Sequence, residues 1–340
     1  MAKAATSNTT QPRREPWLDV ARCLGCLSVL VIHCPSVESN GGLARAAIEY
    51  YAVACASVLF FMISGALVFY RPVEHARPWL KHRVGRVVIP MVIWTIVTLL
   101  VNLAAGRLLP DDFVHRLLMI PFQAQEGAFW FIYVVVGIYL AAPILAAWLA
   151  RCKKHDLQLY LGIWFVSLFV PTLAYVVPEA ARVTDGHYGY LYHFYGYLGL
   201  AVTGYYVRRY GMFNKSPWIL AVLALVLVTL PVALRASSLP TRLWSPRLSP
   251  GVVALTIVVF ASIKHIPSGH ITSWATRLAA FTFGVYLTHK LVIMWILRPL
   301  VGQFHLPYSI ELPLMVTLTA LIAGSITALL KRLPHNRLVC

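Results

Sequence analysis

The chain has 340 residues, of which 59% are hydrophobic and only 12% are charged, and its mean hydropathy is +0.71. This composition excludes an ordinary soluble domain and indicates an integral membrane protein. The net charge of +17 does not indicate nucleic-acid binding, because the basic residues lie in short clusters between apolar segments. We interpret these clusters as signals of membrane topology.

Apolar segments long enough to cross about 30 Å of hydrocarbon recur along the chain and predict about ten transmembrane helices. They lie near 17–36, 47–70, 87–105, 128–150, 157–177, 190–207, 216–234, 249–263, 278–298 and 310–330. The connections alternate, and one set carries more than twice as many Lys and Arg residues as the other. By the positive-inside rule the richer side is cytoplasmic, which places both termini inside.

The predicted fold class is therefore an all-α polytopic membrane protein. We expect a flexible cytoplasmic tail at 1–16, a single transmembrane domain at 17–332 and a cytoplasmic tail at 333–340. The six cysteines lie mostly in apolar stretches and have neither disulfide-framework nor zinc spacing, so no metal site is expected. Acidic residues are almost absent from the spans, which disfavours a proton-coupled transporter.

A positive charge and a titratable ring interrupt the first apolar segment. Arg22 and His33 are eleven positions apart, so in a helix they share one face and are separated by about 16 Å along the axis. Ionisable residues inside a span commonly mark a functional site, and a histidine can act as a general base. We predict His33, Arg22 and the nearby Asp19 as catalytic residues. An interhelical hydrogen bond for His33, or an anchoring ion pair between Asp19 and Arg22, is the alternative.

Two further arginines precede the third apolar segment. Arg83 and Arg86 are three positions apart and share one helix face at the membrane surface. Because the guanidinium group is a rigid fork of several donors, such a pair is suited to phosphate. We predict Arg83 and Arg86 as residues that bind phosphate. Lipid headgroup binding or an ordinary topological charge is the alternative for each of them.

Candidate substrate-binding residues occur in three of the predicted spans. Ser64 ends an aromatic run of the second span, Trp130 and Tyr133 lie near the outer end of the fourth, and Tyr286 and His289 form a polar cluster in the ninth. Aromatic rings can stack on a sugar, and Ser64 can face the cavity of His33. Helix packing through small residues and an aromatic belt at the membrane interface remain the alternatives.

Several motifs together resemble one known family. They are Leu18 and Asp19 ahead of Arg22, the arginine and histidine with ten residues between them, FFMISG at 60–65, Arg83 and Arg86 before Pro90, FWFIYVVVGIYLAAP at 129–143 and FGVYLTHKLVI at 283–293. The chain resembles the acyltransferase-3 family of bacterial inner-membrane acyltransferases over essentially its whole length. Among the members it is similar to the short O-acetyltransferases of the enterobacterial common antigen type.

The resemblance implies about ten transmembrane helices and an O-acetyltransferase of the bacterial inner membrane. Acetyl-CoA would be the acyl donor from the cytoplasm, with its phosphates on Arg22, Arg83 and Arg86. A hydroxyl of a cell-surface polysaccharide, or of its lipid-linked precursor, would be the acceptor, activated by His33. The expected partners are this carbohydrate, the lipid bilayer and the polysaccharide-synthesis machinery, with no nucleic acid. An acyl or glycolipid transporter or flippase, and a noncatalytic subunit of a polysaccharide synthase, are the competing functions.

Overall fold

The computed structural model describes residues 14–34, 42–171, 194, 196–212, 217–236, 247–334 and 336–340. Within these ranges the regular elements are all helical, as predicted. The α-helices are α1 (Pro16–His33), α2 (Gly42–Cys55), α3 (Ser57–Val68), α4 (Ala76–Ala104), α5 (Pro110–Met119), α6 (Trp130–Arg151), α7 (Lys154–Ser167), α8 (Tyr197–Tyr210), α9 (Pro217–Ala236), α10 (Pro250–Lys264), α11 (His270–Ala279), α12 (Thr282–Leu291), α13 (Arg298–Val301) and α14 (Tyr308–Leu330). A π-helical turn, Val292–Leu297, joins α12 to α13.

Six helical stretches of the described residues are long and apolar enough to cross a membrane. They are Pro16–His33, Ala47–Val68, Ala76–Ala104, Trp130–Arg151, Thr282–Phe304 and Tyr308–Leu330. Two shorter apolar helices occur at Trp218–Leu230 and Pro250–Lys264. The chain is thus a multi-pass helical membrane protein. The predicted spans 157–177 and 190–207 extend into residues outside the described ranges, as does most of the predicted tail at 1–16, and the count of ten and the sidedness of the termini stay predictions.

The helix of the third predicted span begins earlier than the sequence predicts. The apolar pattern begins at residue 87, whereas α4 begins at Ala76 and carries Arg83 and Arg86 as helical residues. Arg and Lys are good helix formers, so a change in hydropathy marks where a helix enters the membrane and not where the helix begins. The two arginines are consequently held on a rigid element that continues into the apolar part of the protein.

The second predicted span is one apolar segment interrupted at Ala56. The backbone ψ angle of Ala56 is −115°, which is not a helical value, so α2 ends before this residue and α3 begins after it. This break interrupts the regular series of helical hydrogen bonds. The hydroxyl of Thr256 in α10 is shared between two carbonyls, that of Ala54 and that of Val252 in its own helix, both at 2.8 Å. Thr256 is fully buried, so the contact fixes the bend and sets the direction in which α3 leaves it.

Two glycines bring α3 and α8 into direct backbone contact. A methyl group at Gly65 would overlap the carbonyl of Ala201, and one at Gly204 would overlap the carbonyl of Met62. Such close approach through small residues is typical of helix packing in membranes. The sequence prediction that small residues at the end of the FFMISG run serve packing is confirmed for Gly65. This contact holds α3 in place as one wall of the cavity described below.

Candidate active site

A cavity of about 730 Å³ lies between α1, α3, α4, α6 and α12. Both Arg22, near the start of α1, and His33, its last residue, line this cavity, which therefore extends along most of that helix. We call one end the cationic end, formed by Arg14, Arg22, Arg83, Arg86 and Lys331. We call the other the histidine end, formed by His33, Trp130, Arg247 and Tyr286. Among the described residues the lining contains six cationic side chains and no acidic side chain.

A buried carboxylate organises the start of the cationic end. Asp19 is only 1% exposed, and the predicted ion pair with Arg22 is present, with 2.5 Å between Asp19 Oδ1 and Arg22 Nη1. Arg14 Nε lies 2.7 Å from the second oxygen, and the Thr276 hydroxyl donates to that same oxygen at 3.1 Å. Asp19 thus lies behind the lining and orients two arginines, at the end of α1 opposite His33.

Arg83 and Arg86 face the same space as Arg22. All three guanidinium groups interact electrostatically with the hydroxyl of Tyr139, a buried cavity residue of α6. Arg83 also lies over the ring of Trp79, with 5.7 Å from its guanidinium carbon to the ring centroid. The three arginines predicted to bind phosphate are therefore brought together from two helices that are remote in sequence.

The C-terminal segment closes part of the cationic end. Asn336 donates from its side-chain amide to the carbonyl of Lys331 at 2.8 Å. Trp94 of α4 donates from its indole nitrogen to the carbonyl of Val339 at 2.8 Å. Asn336 and Cys340 consequently line the cavity beside the arginines. The segment that the sequence places in a cytoplasmic tail packs against α4 and contributes to the site.

Buried rings surround His33 at the other end of the cavity. The half-buried imidazole of His33 lies 5.1 Å from that of His289, measured between ring centroids. His289 is completely buried, and its Nδ1 lies 2.6 Å from the carbonyl oxygen of Tyr286. Because a carbonyl only accepts, Nδ1 is the donor in this bond. Nε2 of His289 is left without a hydrogen-bond partner among the described residues. The hydroxyl of Tyr286 donates to the carbonyl of Ala128 at 2.5 Å, which ties α12 to the loop before α6.

The wall between the two ends comes mainly from α3. Phe60 fits against Gly25 of α1, where an added Cβ would lie 2.8 Å from the ring. Ser64 follows one turn later and lines the cavity between the cations and the histidine. A larger side chain at position 25 would therefore move Phe60 and alter the width of the passage that connects the two ends.

Two predicted substrate-binding residues of α6 are placed differently. Trp130 lines the cavity. Tyr133 lies outside the lining, and its hydroxyl donates to the carbonyls of Ile120 and Gln123, the latter at 3.1 Å. Tyr133 therefore secures the loop that precedes α6, whereas Trp130 faces the space in which a ligand would lie.

Arg247 gives the histidine end a positive charge of its own. Its guanidinium carbon lies 4.7 Å from the centroid of the Trp130 ring, a distance typical of a cation–π contact. The charge of Arg247 interacts electrostatically with the ring of His33. The lining at this end thus combines a base, an aromatic face and a cation.

A second cation near His33 has a carboxylate in its surroundings. Lys290 directly follows His289 and interacts electrostatically with both His33 and Glu126. Burial of Glu126, in the loop before α6, raises the pKa of its carboxyl, and the positive charges of Lys290 and Arg116 oppose that rise. The charge of Lys290 is therefore partly balanced by Glu126.

Several lining residues were missed from the sequence. They are Arg14, Tyr139, Arg247, Lys331, Asn336 and Cys340. From the sequence, Arg14 and Lys331 are interpreted as topological charges and Arg247 as part of an outer connection. Their spacing in the sequence does not predict that they lie near the first helix. The described residues contain no group of three or more His, Cys, Asp or Glu side chains placed to hold a metal ion. The basic cluster is the part of the lining suited to a phosphorylated cofactor.

The fold and the cavity define a class of protein: a multi-pass helical membrane protein whose cavity has a cationic end and a histidine among buried rings. Residues 15–330, which include all of α1 to α14, match the family model described as the acyltransferase domain of the acyltransferase-3 family. The chain belongs to this family and is a membrane acyltransferase. No curated protein and no solved structure matches the chain. The resemblance stated from the motifs is confirmed for the family, while the similarity to the enterobacterial common antigen type stays a prediction.

Proposed function

We propose that this membrane acyltransferase transfers an acetyl group from cytoplasmic acetyl-CoA to a sugar hydroxyl of a cell-surface polysaccharide or of its lipid-linked precursor, in the bacterial inner membrane. One observation carries the proposal. A single cavity contains both the predicted phosphate-binding arginines and the predicted catalytic histidine. The cavity thus offers separate positions for the charged and the reactive parts of one long donor molecule.

The cationic end matches the phosphate groups of coenzyme A. Five basic side chains line it, and Asp19 behind them contacts two, Arg14 and Arg22. Arginine forks bind phosphate through parallel charge-assisted hydrogen bonds, which are roughly twice as strong as neutral ones. In this proposal the cationic end faces the cytoplasm, where the donor is made, in agreement with the distribution of basic residues along the chain.

The distance between the two ends suits the pantetheine arm. Arg22 and His33 are both residues of α1 and line the same cavity, which separates them by about 16 Å along the helix axis. An extended pantetheine arm has a comparable length. Phosphates held at Arg22 therefore place the thioester beside His33, which is the positioning that acyl transfer requires.

The chemical step assigns one role to His33. The imidazole removes the proton of the sugar hydroxyl as that oxygen attacks the thioester carbonyl. A new C–O bond forms, the C–S bond breaks, and the imidazolium returns the proton to the departing sulfur of CoA. His289, packed against His33 at 5.1 Å, is a positioning residue in this scheme. Ser64, Trp130 and Tyr286 line the space left for the acceptor.

The test is acceptor-dependent release of free CoA by the purified protein in lipid nanodiscs. The protein receives acetyl-CoA and an extract of cell-surface glycan precursors, and wild type is compared with His33→Gln at equal folded amounts. His115→Gln is the matched control, because His115 is an exposed histidine of α5 outside the cavity lining. We expect release by wild type and the control, and its loss in His33→Gln.

The other outcomes separate the competing functions. Acetyl-CoA that binds but stays intact in wild type, with movement of a glycolipid between leaflets, would identify a flippase. A protein that neither binds nor consumes acetyl-CoA would be a noncatalytic subunit. Release of CoA that persists in His33→Gln would show that His33 is not the catalytic base. The assignment of acetyl-CoA as donor would be unaffected.

A further inference from the structure

The histidine end carries a cation that the acyl donor does not need. The phosphates of acetyl-CoA are matched by the five basic residues of the cationic end, whereas Arg247 lines the cavity beside Trp130, at the end that contains His33. Its charge acts on the His33 ring. A cation in this place is available to the second substrate.

Arg247 is held by an aromatic ring, but no described residue uses its hydrogen-bond donors. The guanidinium carbon lies 4.7 Å from the centroid of the Trp130 ring, a cation–π contact that requires no hydrogen-bond acceptor. Among the residues that the structure describes, no acceptor takes a hydrogen bond from Arg247 and no carboxylate pairs with it. Arg22 contrasts with it, because Arg22 is ion-paired with Asp19.

The electrostatics around His33 favour a negatively charged ligand. The described lining residues include six cationic side chains and no acidic side chain, so the cavity carries a positive potential that attracts anions. Glu126 partly balances Lys290, but nothing in the described part of the chain balances Arg247. An anionic group on the acceptor would supply the missing counter-charge and fix the acceptor relative to the base.

We propose that the acceptor carries an anionic group, a carboxylate or a phosphate, close to the hydroxyl that is acylated, and that Arg247 binds this group. The inference rests on the proposed function and specifies the class of acceptor. Trp130 then serves as the platform that holds Arg247 in place. A neutral glycan could accept hydrogen bonds from the guanidinium but would leave its charge without a counter-charge.

The test separates the glycan-precursor extract by anion exchange into a neutral and an anionic fraction. Acceptor-dependent CoA release is measured with each fraction for wild type, Arg247→Gln and Arg247→Lys. Arg107→Gln is the matched control, since Arg107 lies 4.0 Å over the ring of Trp295 but outside the cavity lining. The dissociation constant of acetyl-CoA is measured for every variant to show that the fold and the donor site are intact.

We expect release with the anionic fraction alone. Arg247→Gln should raise the KM for that fraction by about tenfold or more, as for loss of a charge-assisted hydrogen bond, with kcat changed by less than about twofold. Arg247→Lys should recover part of the loss, and Arg107→Gln should behave as wild type. Chemical reduction of carboxyl groups, or mild acid cleavage of phosphate linkages, then identifies the anion, because only the relevant treatment abolishes acceptor activity.

Three results would overturn the inference. The neutral fraction could serve equally well, the KM could be unchanged in Arg247→Gln, or Arg247→Gln could lower kcat alone, which would place Arg247 in the chemical step. A fourth result has a different meaning. If wild type releases no CoA with either fraction, the proposed function fails first, and the assignment of the acceptor fails with it.

Discussion

The cationic end and the histidine end of the cavity share one helix, α1, but they are built from different contacts. At the cationic end Asp19 holds Arg14 and Arg22, whose side chains remain 58% and 30% exposed. At the histidine end the neighbours of His33 are rings, and His289 and Tyr286 are 0% and 8% exposed. The first end consists of long side chains that reach into water, and the second consists of packed groups with few rotamers available.

This difference corresponds to two tasks in acyl transfer. Binding of phosphates tolerates movement of the arginines, because several cations act on one charged group and water screens the interactions of exposed charges. Transfer to a hydroxyl requires a base, a thioester carbon and an oxygen within about 3–3.5 Å of each other, so the groups that hold the base must be rigid. Substitutions at the two ends should therefore affect different kinetic constants.

The largest effect is expected from His33→Ala. In the proposed function His33 is the general base, so its loss should lower turnover by about 10²- to 10⁴-fold, while the arginines proposed to hold the donor are untouched. Acetyl-CoA binding measured by isothermal titration calorimetry in nanodiscs should stay within about twofold of wild type. Equal losses of binding and turnover would show that the two ends do not act separately.

A smaller effect is expected from Arg83→Ala or Arg86→Ala. Each removes a guanidinium that is proposed to contact phosphate, so the KM for acetyl-CoA should rise about tenfold and kcat at saturation should change little. The salt dependence of KM should become weaker, because fewer charges are screened. Arg77→Ala is the control, since Arg77 is an exposed residue of the same helix outside the lining. A similar rise in KM for Arg77→Ala would show that the effect comes from the overall positive charge of the surface and not from a specific phosphate site.

The sequence predicts the helices best where a span is uninterrupted. The predicted limits of α6 and α14 agree with the structure to within two residues. The bend at Ala56 and the π-helical turn at Val292–Leu297 were not predicted. The first depends on a hydrogen bond from Thr256, about two hundred residues away, and apolar patterning carries no information on such a contact. The local amino-acid composition thus predicts which segments are helical, but not where a helix bends.

The residues of the candidate site likewise fall into a group that the sequence predicts and a group that it does not. Arg22 and His33 belong to one helix, so periodicity alone predicts that they face one space, and both line the cavity. Arg247 precedes α10 and meets the site only because its chain segment folds over Trp130. Lys331 and Cys340 reach it because the end of the chain turns back on α4. Residues that arrive by tertiary contact have no spacing rule, which is why they were missed.

A moderate effect is expected from Asp19→Asn. The substitution keeps the shape of the side chain but removes the charge that orients Arg14 and Arg22. Because the arginines remain in place, the KM for acetyl-CoA should rise only about three- to fivefold, corresponding to about 1 kcal/mol or less. Glu15→Gln is the control. Glu15 lies directly before α1, and its carboxylate forms an ion pair with Arg208 of α8. An equal rise in that variant would indicate a general loss of helix stability.

The smallest effect is expected from Trp94→Phe. The variant keeps an aromatic ring in α4 but deletes the N–H that binds the carbonyl of Val339. A lost hydrogen bond of roughly 0.5 kcal/mol should raise the labelling rate of Cys340 by a maleimide about twofold. Cys152, a half-buried thiol outside the C-terminal segment, should label at an unchanged rate. We expect kcat at saturating acetyl-CoA to stay unchanged, because none of the residues that form the histidine end belongs to this segment. A fall in kcat would mean that the C-terminal segment also positions the groups around His33, and that the two ends are mechanically coupled along α4.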